Sequence, residues 1–141
     1  MIKKLTLILL LCLVFLSCGK TNQDAIPYVQ VNFSAPLSDP RLSRLSVSGG
    51  AVTVDGYGVC GLIIYHRPDD IYVAYDRCSS YLPEKRCAVT LDNPTLTATD
   101  PCSRSKFSLS DGSPVKAPAT RYLRIYTVNV SRSTNQIFVV N

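Results

Sequence analysis

The chain has 141 residues, of which 46% are hydrophobic, and carries 15 basic against 10 acidic side chains. This length suits one domain with a modest core. The formal charge of +5 is too small an excess to indicate a nucleic-acid partner, and we predict none.

Residues 1–17 have the pattern of a bacterial secretion signal. Two lysines precede an apolar run over 5–16 that contains no acidic residue. The run is shorter than the roughly 20 apolar residues that a membrane-spanning helix needs. It ends in small Ser17, then Cys18 and small Gly19, which resembles the processing box of lipoproteins.

This resemblance implies that Cys18 is cleaved at its amine side and acylated. Cys12 is a poorer candidate because a bulky leucine precedes it. Two or more acyl chains give stable anchoring, so the membrane is a predicted partner through Cys18. We predict a signal peptide over 1–17, the acylated cysteine and a polar tether over 18–25, and one domain over 26–141. The predicted location is the bacterial cell envelope, at the outer membrane, with a plain secreted protein as the alternative.

Four cysteines follow the anchor: Cys60, Cys78, Cys87 and Cys102. Outside the cytoplasm such cysteines oxidise in pairs, and two disulfides are expected. The chain has no C-x-x-C pair, but a zinc ion or a cluster held by all four cysteines remains an alternative.

Alternating apolar positions predict short strands along the rest of the chain. These lie at 26–33, 45–55 with a break at 48–50, 60–66, 71–76, 87–91, 95–99, 107–109, 122–130 and 136–140. No stretch has a helical period. The predicted class is therefore all-β, an antiparallel sandwich or small barrel.

The best local signal is a hairpin whose reversal is Arg67-Pro68-Asp69-Asp70. If its loop has three residues, Cys60 falls opposite Cys78, and a bridge between them is geometrically reasonable. A loop one residue longer would turn the two cysteines to opposite faces. The pairing therefore depends on the turn.

From Cys78 onward the chain resembles the cluster-binding half of Rieske iron-sulfur proteins. A cysteine loop and a hairpin precede Asp100-Pro101-Cys102-Ser103, an aromatic strand at Phe107, an Asp111-Gly112 turn and a Pro-Ala-Thr-Arg segment at 118–121. The family's two ligand loops are C-x-H and C-x-x-H. Respiratory members add one cysteine to each loop and join these two by a disulfide.

The resemblance places the four cluster ligands at Cys78, Ser80, Asp100 and Ser103, so three of the four ligand residues are replaced. It implies a disulfide between Cys87 and Cys102, as in the respiratory members. It also leaves Cys78 free to pair with Cys60. The expected fold is thus a Rieske-like antiparallel domain with disulfide-tied loops, similar to lipoproteins of the Bacteroidetes group that keep this scaffold without the histidines.

The histidine count leads to the same prediction about the cofactor. A Rieske centre needs two histidines on one iron, and this chain has only His66, which lies outside both loops. We predict no 2Fe-2S cluster and no other metal. His66 is interpreted as a surface or turn-stabilising side chain. A hydrolase using it with Asp69 and Asp70 is disfavoured, because no serine has a nucleophile motif such as G-x-S-x-G.

We therefore expect a non-enzymatic interaction or accessory module that presents a loop tip over 79–85 and 100–106. Its partner would be an envelope protein or a glycan. Outward-facing members of a tyrosine group are candidate contacts: Tyr57, Tyr65, Tyr72, Tyr75 and Tyr81. Basic side chains on the capping loops are interpreted as a mixed solvated surface: Arg67, Arg77, Lys85, Arg86, Arg104 and Lys106. The alternatives are an iron-carrying electron-transfer protein and a thiol-disulfide protein using Cys78 or Cys102.

Overall fold

The structure is a computed structural model that describes residues 26–141. The predicted signal peptide, the lipidated Cys18 and the tether lie outside the described residues. Within them the chain is almost entirely antiparallel β structure, as predicted. None of the helices in 26–141 has the length and apolar character needed to span a membrane.

Ten strands form two antiparallel sheets. They are β1 (Asn32–Pro36), β2 (Ala51–Val54), β3 (Leu62–His66), β4 (Tyr72–Asp76), β5 (Thr90–Leu91), β6 (Thr97–Thr99), β7 (Lys106–Ser108), β8 (Pro114–Lys116), β9 (Ile125–Ser131) and β10 (Gln136–Val140). The larger sheet has the order β1-β10-β9-β4-β3-β2, and the smaller one is the meander β5-β6-β7-β8. The smaller sheet is therefore an insertion between β4 and β9.

Strand β3 is buried along its whole length because it lies between two apolar cores. Leu62 and Ile64 point into a core shared with β1, β9 and β10. Ile63 and Tyr65 point into a second core, which contains Phe107 of the smaller sheet. Alternation along one strand thus serves two cores, and this strand has a continuous apolar sequence instead of an alternating one.

The β3–β4 hairpin has the three-residue loop that places Cys60 opposite Cys78. His66 pairs with Tyr72, and the Arg67 N–H donates to the Ile71 carbonyl at 2.8 Å. Asp70 adopts a left-handed backbone with φ of 62°. Aspartate tolerates this conformation better than most residues, which explains its place in the turn.

The side chain of His66 stabilises this turn. One ring nitrogen lies 2.9 Å from the Leu45 carbonyl and the other lies 3.0 Å from Asp70. The ring is buried and stacked on Tyr72. Both ring nitrogens therefore contact structural partners, neither of which is a serine hydroxyl.

Two predictions near the start of the domain are wrong. The strand expected over 26–33 begins only at Asn32, and the stretch expected to begin a strand at Leu45 lies in a 3-10 helix at Pro40–Ser46. Asp39 caps that helix by accepting the Arg41 N–H at 2.8 Å. A seven-residue 3-10 helix is too short to show a period, so the sequence gives little warning of it.

Candidate functional site

Two loops meet at one end of the larger sheet, and together they form what we call the tip. The first runs from Cys78 to Ala88, which pair through an isolated bridge. The second runs from Asp100 to Ser105, closed by an N–H to carbonyl bond of 2.8 Å between these two residues. A disulfide between Cys87 and Cys102 joins the loops, as the resemblance implied, with Cα atoms 6.3 Å apart.

Ser80 stands at the first replaced ligand position and turns its hydroxyl into the protein. The residue is buried, and its hydroxyl donates to the Arg121 carbonyl at 2.6 Å. This bond fastens the first loop to the segment that precedes β9. The Ser80 hydroxyl, at the position where the family has a histidine ligand, thus forms a structural hydrogen bond within the protein.

Asp100 and Ser103 occupy the second and third replaced positions and bind each other. The Ser103 hydroxyl donates to the Asp100 carboxylate at 2.6 Å and lies 2.9 Å from the Ser105 hydroxyl. Ser105 in turn accepts the Ala119 N–H at 3.0 Å. A chain of polar contacts therefore runs from the second loop to the Pro-Ala-Thr-Arg segment.

Asp100 is buried and carries a charge that the loop stabilises. Burial acts to raise its pKa, but hydrogen bonds from Ser103, from Ser79 and from the Cys102 N–H outweigh burial and hold the pKa below the ordinary value. The second loop is thus built around a carboxylate at the position where the family places a ligand cysteine.

The residues at the four ligand positions do not fit a Rieske cluster. The cluster needs two thiolates and two imidazoles, whereas this tip offers one thiol at Cys78, two hydroxyls and one carboxylate. At each of the three replaced positions, the side-chain oxygens form hydrogen bonds within the protein. His66 lies at the far end of β3, away from both loops.

Cys78 and Cys60 are neighbours, but they carry free thiols in the structure. Their sulfurs lie within 4.8 Å of each other, and burial raises the pKa of both thiols. The Cys60 sulfur faces the Arg86 carbonyl at 3.6 Å, and the Cys78 sulfur faces the Pro83 carbonyl at 3.7 Å. The sulfurs point at these carbonyls instead of bonding, so the disulfide between Cys60 and Cys78 stays a prediction.

Sequence reasoning missed the role of Asp76, a fully buried carboxylate at the end of β4. It accepts four hydrogen bonds, three from the backbone N–H groups of Val59, Cys60 and Cys78, at 2.6, 3.2 and 2.8 Å, and one from the Tyr126 hydroxyl at 2.8 Å. The available signal was an acidic residue that ends an otherwise apolar strand two residues before a cysteine.

A glycine makes the approach to Asp76 possible. Gly58 has φ of +66°, and a Cβ atom there would collide with the Asp76 carboxylate. The segment around Gly58 can therefore wrap the carboxylate only with its backbone.

The tip carries a cleft of about 290 Å³ between the two loops. Its walls include Tyr81, Leu82, Lys85, Asp100, Ser103 and Pro118. The apolar part of the wall is partly open to solvent, since Leu82 is 39% exposed. The cleft therefore combines a buried carboxylate with an apolar, open rim.

The basic residues predicted for the capping loops fall into two groups. Arg67, Arg77 and Lys106 each pair with an aspartate at 2.7 Å. The other three, Lys85, Arg86 and Arg104, are exposed and make no ion pair with any residue in 26–141. The same is true of Arg121, which was not in the predicted group. The mixed surface expected from sequence thus resolves into a paired group and an unpaired group that lies on the tip and, at Arg121, beside it.

Three tip residues adopt a left-handed backbone without being glycine, asparagine or aspartate. Leu82, Arg86 and Arg104 have φ of 48°, 49° and 66°. Such conformations cost of order 1 kcal/mol or more and cluster where a protein presents side chains for function. All three residues are exposed at the tip.

The tyrosines do not form the binding face considered from sequence. Tyr65 and Tyr75 are buried core residues. Tyr72 stacks on His66, and Tyr57 packs edge-on against Phe33. Only Tyr81 contributes to the cleft, because strand alternation and the hairpin turn send the others elsewhere.

Comparison with known proteins identifies the fold. Neither a family model nor a curated protein matches this chain. The plasma membrane Rieske protein PetC3 from Synechocystis PCC 6803 is 18% identical with a TM-score of 0.55, over 79% of this chain and 98% of that chain. A chain of the complex of reduced oxygenase and oxidized ferredoxin in carbazole 1,9a-dioxygenase is 21% identical with a TM-score of 0.52, over 79% and 94%. The predicted Rieske-like fold is confirmed.

Proposed function

We propose that this Rieske-like domain is a non-enzymatic interaction or accessory module of the bacterial envelope, lipid-anchored at Cys18 and without a 2Fe-2S cluster. The proposal rests on how the side chains at the replaced ligand positions are hydrogen-bonded. Ser80, Asp100 and Ser103 all direct their oxygens into hydrogen bonds that hold the tip together. These three residues therefore stabilise the tip, and the outer surface of the tip is available to bind a partner.

The outer surface of the tip favours a partner with negative charge. Lys85 and the partly exposed Leu82 line the cleft. Arg86 and Arg104 are exposed on its two loops, and Arg121 is exposed beside the first loop, where its carbonyl meets Ser80. Unpaired surface cations attract acidic partners and speed their association, while an apolar centre adds affinity. An acidic envelope protein fits this surface best, and an anionic glycan is the second choice.

Electron transfer is the alternative function, because the fold is shared with a Rieske protein. It requires ligands from a partner or from all four cysteines. Stoichiometric iron with a visible spectrum in the mature protein would favour this alternative.

The lipid anchor has a direct test. In a bacterium that exports the full chain, Cys18→Ser will abolish labelling by an alkyne palmitate and release the protein from the membrane fraction. Cys12→Ser is the matched control, because it removes the other signal-peptide cysteine, and it will leave labelling unchanged. Labelling that survives Cys18→Ser would refute the anchor.

The tip has its own test by site-specific photo-crosslinking in intact cells. A photoreactive residue at Leu82 will capture a discrete partner, because Leu82 stands exposed at the cleft. The same residue at Ile71 is the control, since Ile71 is 49% exposed at the β3–β4 turn at the other end of β4. Equal capture at both sites would contradict docking at the tip.

A charge-reversed pair sharpens this result. Lys85→Glu with Arg121→Glu will lower capture at Leu82 at least about tenfold, since repulsion replaces attraction. Arg44→Glu with Arg132→Glu makes the same change in net charge at the opposite end, where Arg132 pairs with Asp70, and will leave capture intact. Equal loss in both pairs would indicate that only net charge matters.

A further inference from the structure

Cys60, Cys78 and Asp76 form a group of metal-type ligands beneath the first loop. The two sulfurs and one carboxylate oxygen all lie within 4.8 Å of one another. Of the three, only Cys78 stands at a ligand position of the Rieske pattern. Cys60 comes from the segment before β3 and Asp76 from the end of β4.

The sulfur positions suit a tetrahedral ion. Zn²⁺ binds thiolates at about 2.3 Å, so two thiolates on one ion lie about 3.8 Å apart. The Cys60 and Cys78 sulfurs lie within 4.8 Å of each other, so a small adjustment would admit the ion. Cys78 is buried, whereas Cys60 is half-buried, which leaves a side open for solvent.

The charge around the thiols also suits a cation. Asp76 is buried and makes no ion pair with any residue in 26–141. A divalent ion stabilises thiolates and offsets the charge of a buried carboxylate.

Backbone contacts hold both cysteines in place around the carboxylate. Asp76 accepts the N–H groups of Cys60 at 3.2 Å and Cys78 at 2.8 Å. It thereby orients the two ligand residues before any ion arrives. A site whose ligands are fixed by neighbouring groups binds metal more tightly than a flexible one.

We propose that Cys60 and Cys78 bind Zn²⁺ as a pair of thiolates beside Asp76, with water at the open side completing the coordination. Binding releases the two thiol protons and involves no electron transfer. This site departs from the expectation of no metal and is independent of the proposed docking at the tip. It excludes a disulfide between Cys60 and Cys78, since the same sulfurs hold the ion.

Metal analysis with thiol counting on the full-length exported protein, purified in detergent without chelator, tests the site. One zinc per chain is expected, with two thiols that react only after a chelator removes it. Cys60→Ser will weaken zinc binding at least about tenfold, measured by competition with a chromogenic chelator. The matched control, Cys87→Ser with Cys102→Ser, also alters cysteines but will keep the zinc.

Cobalt(II) titration of the wild-type protein provides a readout that does not depend on a variant folding. A thiolate-to-cobalt absorption band at one equivalent is expected. Zinc-free protein with a mapped disulfide between Cys60 and Cys78 would overturn the site and leave the proposed function standing. Stoichiometric iron with a visible spectrum would overturn the proposed function as well.

Discussion

Replacing Asp76 with asparagine will lower the free energy of unfolding by about 2 to 4 kcal/mol. The substitution keeps the shape but puts an amide NH₂ where one carboxylate oxygen accepts hydrogen bonds. Buried donors among Val59, Cys78 and Tyr126 are then left without an acceptor. Each unpaired buried donor costs about 1 to 3 kcal/mol. Urea unfolding with a chelator present measures the change without any contribution from bound metal.

Tyr126→Phe is the matched control for this prediction. It removes one of the four hydrogen bonds to Asp76 and leaves the three backbone bonds in place. The expected cost is about 1 kcal/mol. If Asp76→Asn cost no more than Tyr126→Phe, the carboxylate would not be the centre that fixes the segment around Gly58.

The parts of the fold that sequence predicts well are those set by local rules. The terminal strand has the predicted bounds, Gln136–Val140, because its apolar residues alternate between buried and partly buried positions. The β3–β4 hairpin is also correct, because Pro68 and two aspartates define a short reversal. In both places the chain contains its own start and stop signals.

The sequence fails where tertiary contacts override the local pattern. Leu42 and Leu45 are buried one turn apart in a 3-10 helix, although the alternating pattern predicts that a strand begins at Leu45. Pro114–Lys116 forms strand β8, which is absent from the predicted strands because prolines at 114 and 118 interrupt any strand pattern. Pro114 is tolerated because β8 lies at the edge of the smaller sheet.

The candidate site was predictable in position and not in its bonding. The resemblance located Ser80, Asp100 and Ser103, and the structure brings these loops together through one disulfide. Which hydroxyl meets which acceptor depends on side-chain geometry that no spacing encodes. The sequence also could not show which basic side chains are unpaired, because pairing depends on which aspartates lie nearby in the folded protein.

Replacing Cys87 and Cys102 together with serine will lower the free energy of unfolding by about 3 kcal/mol. The bond closes a loop with a sequence separation of 15, and a closed loop of this size restricts the unfolded chain by roughly that amount at 25 °C. The loss also falls on the tip, because no other covalent bond joins its two loops among the described residues. Urea unfolding of the exported protein with and without reductant measures it.

Reductant distinguishes this bond from any other effect of the two substitutions. A reducing agent will destabilise the wild-type protein by about as much as the double substitution does, and it will leave the double variant unchanged. Photo-crosslinking from Leu82 will weaken in the double variant, since the cleft walls belong to both loops. A variant as stable as the wild type would mean that the polar contacts of Asp100 and Ser103 hold the tip without the disulfide.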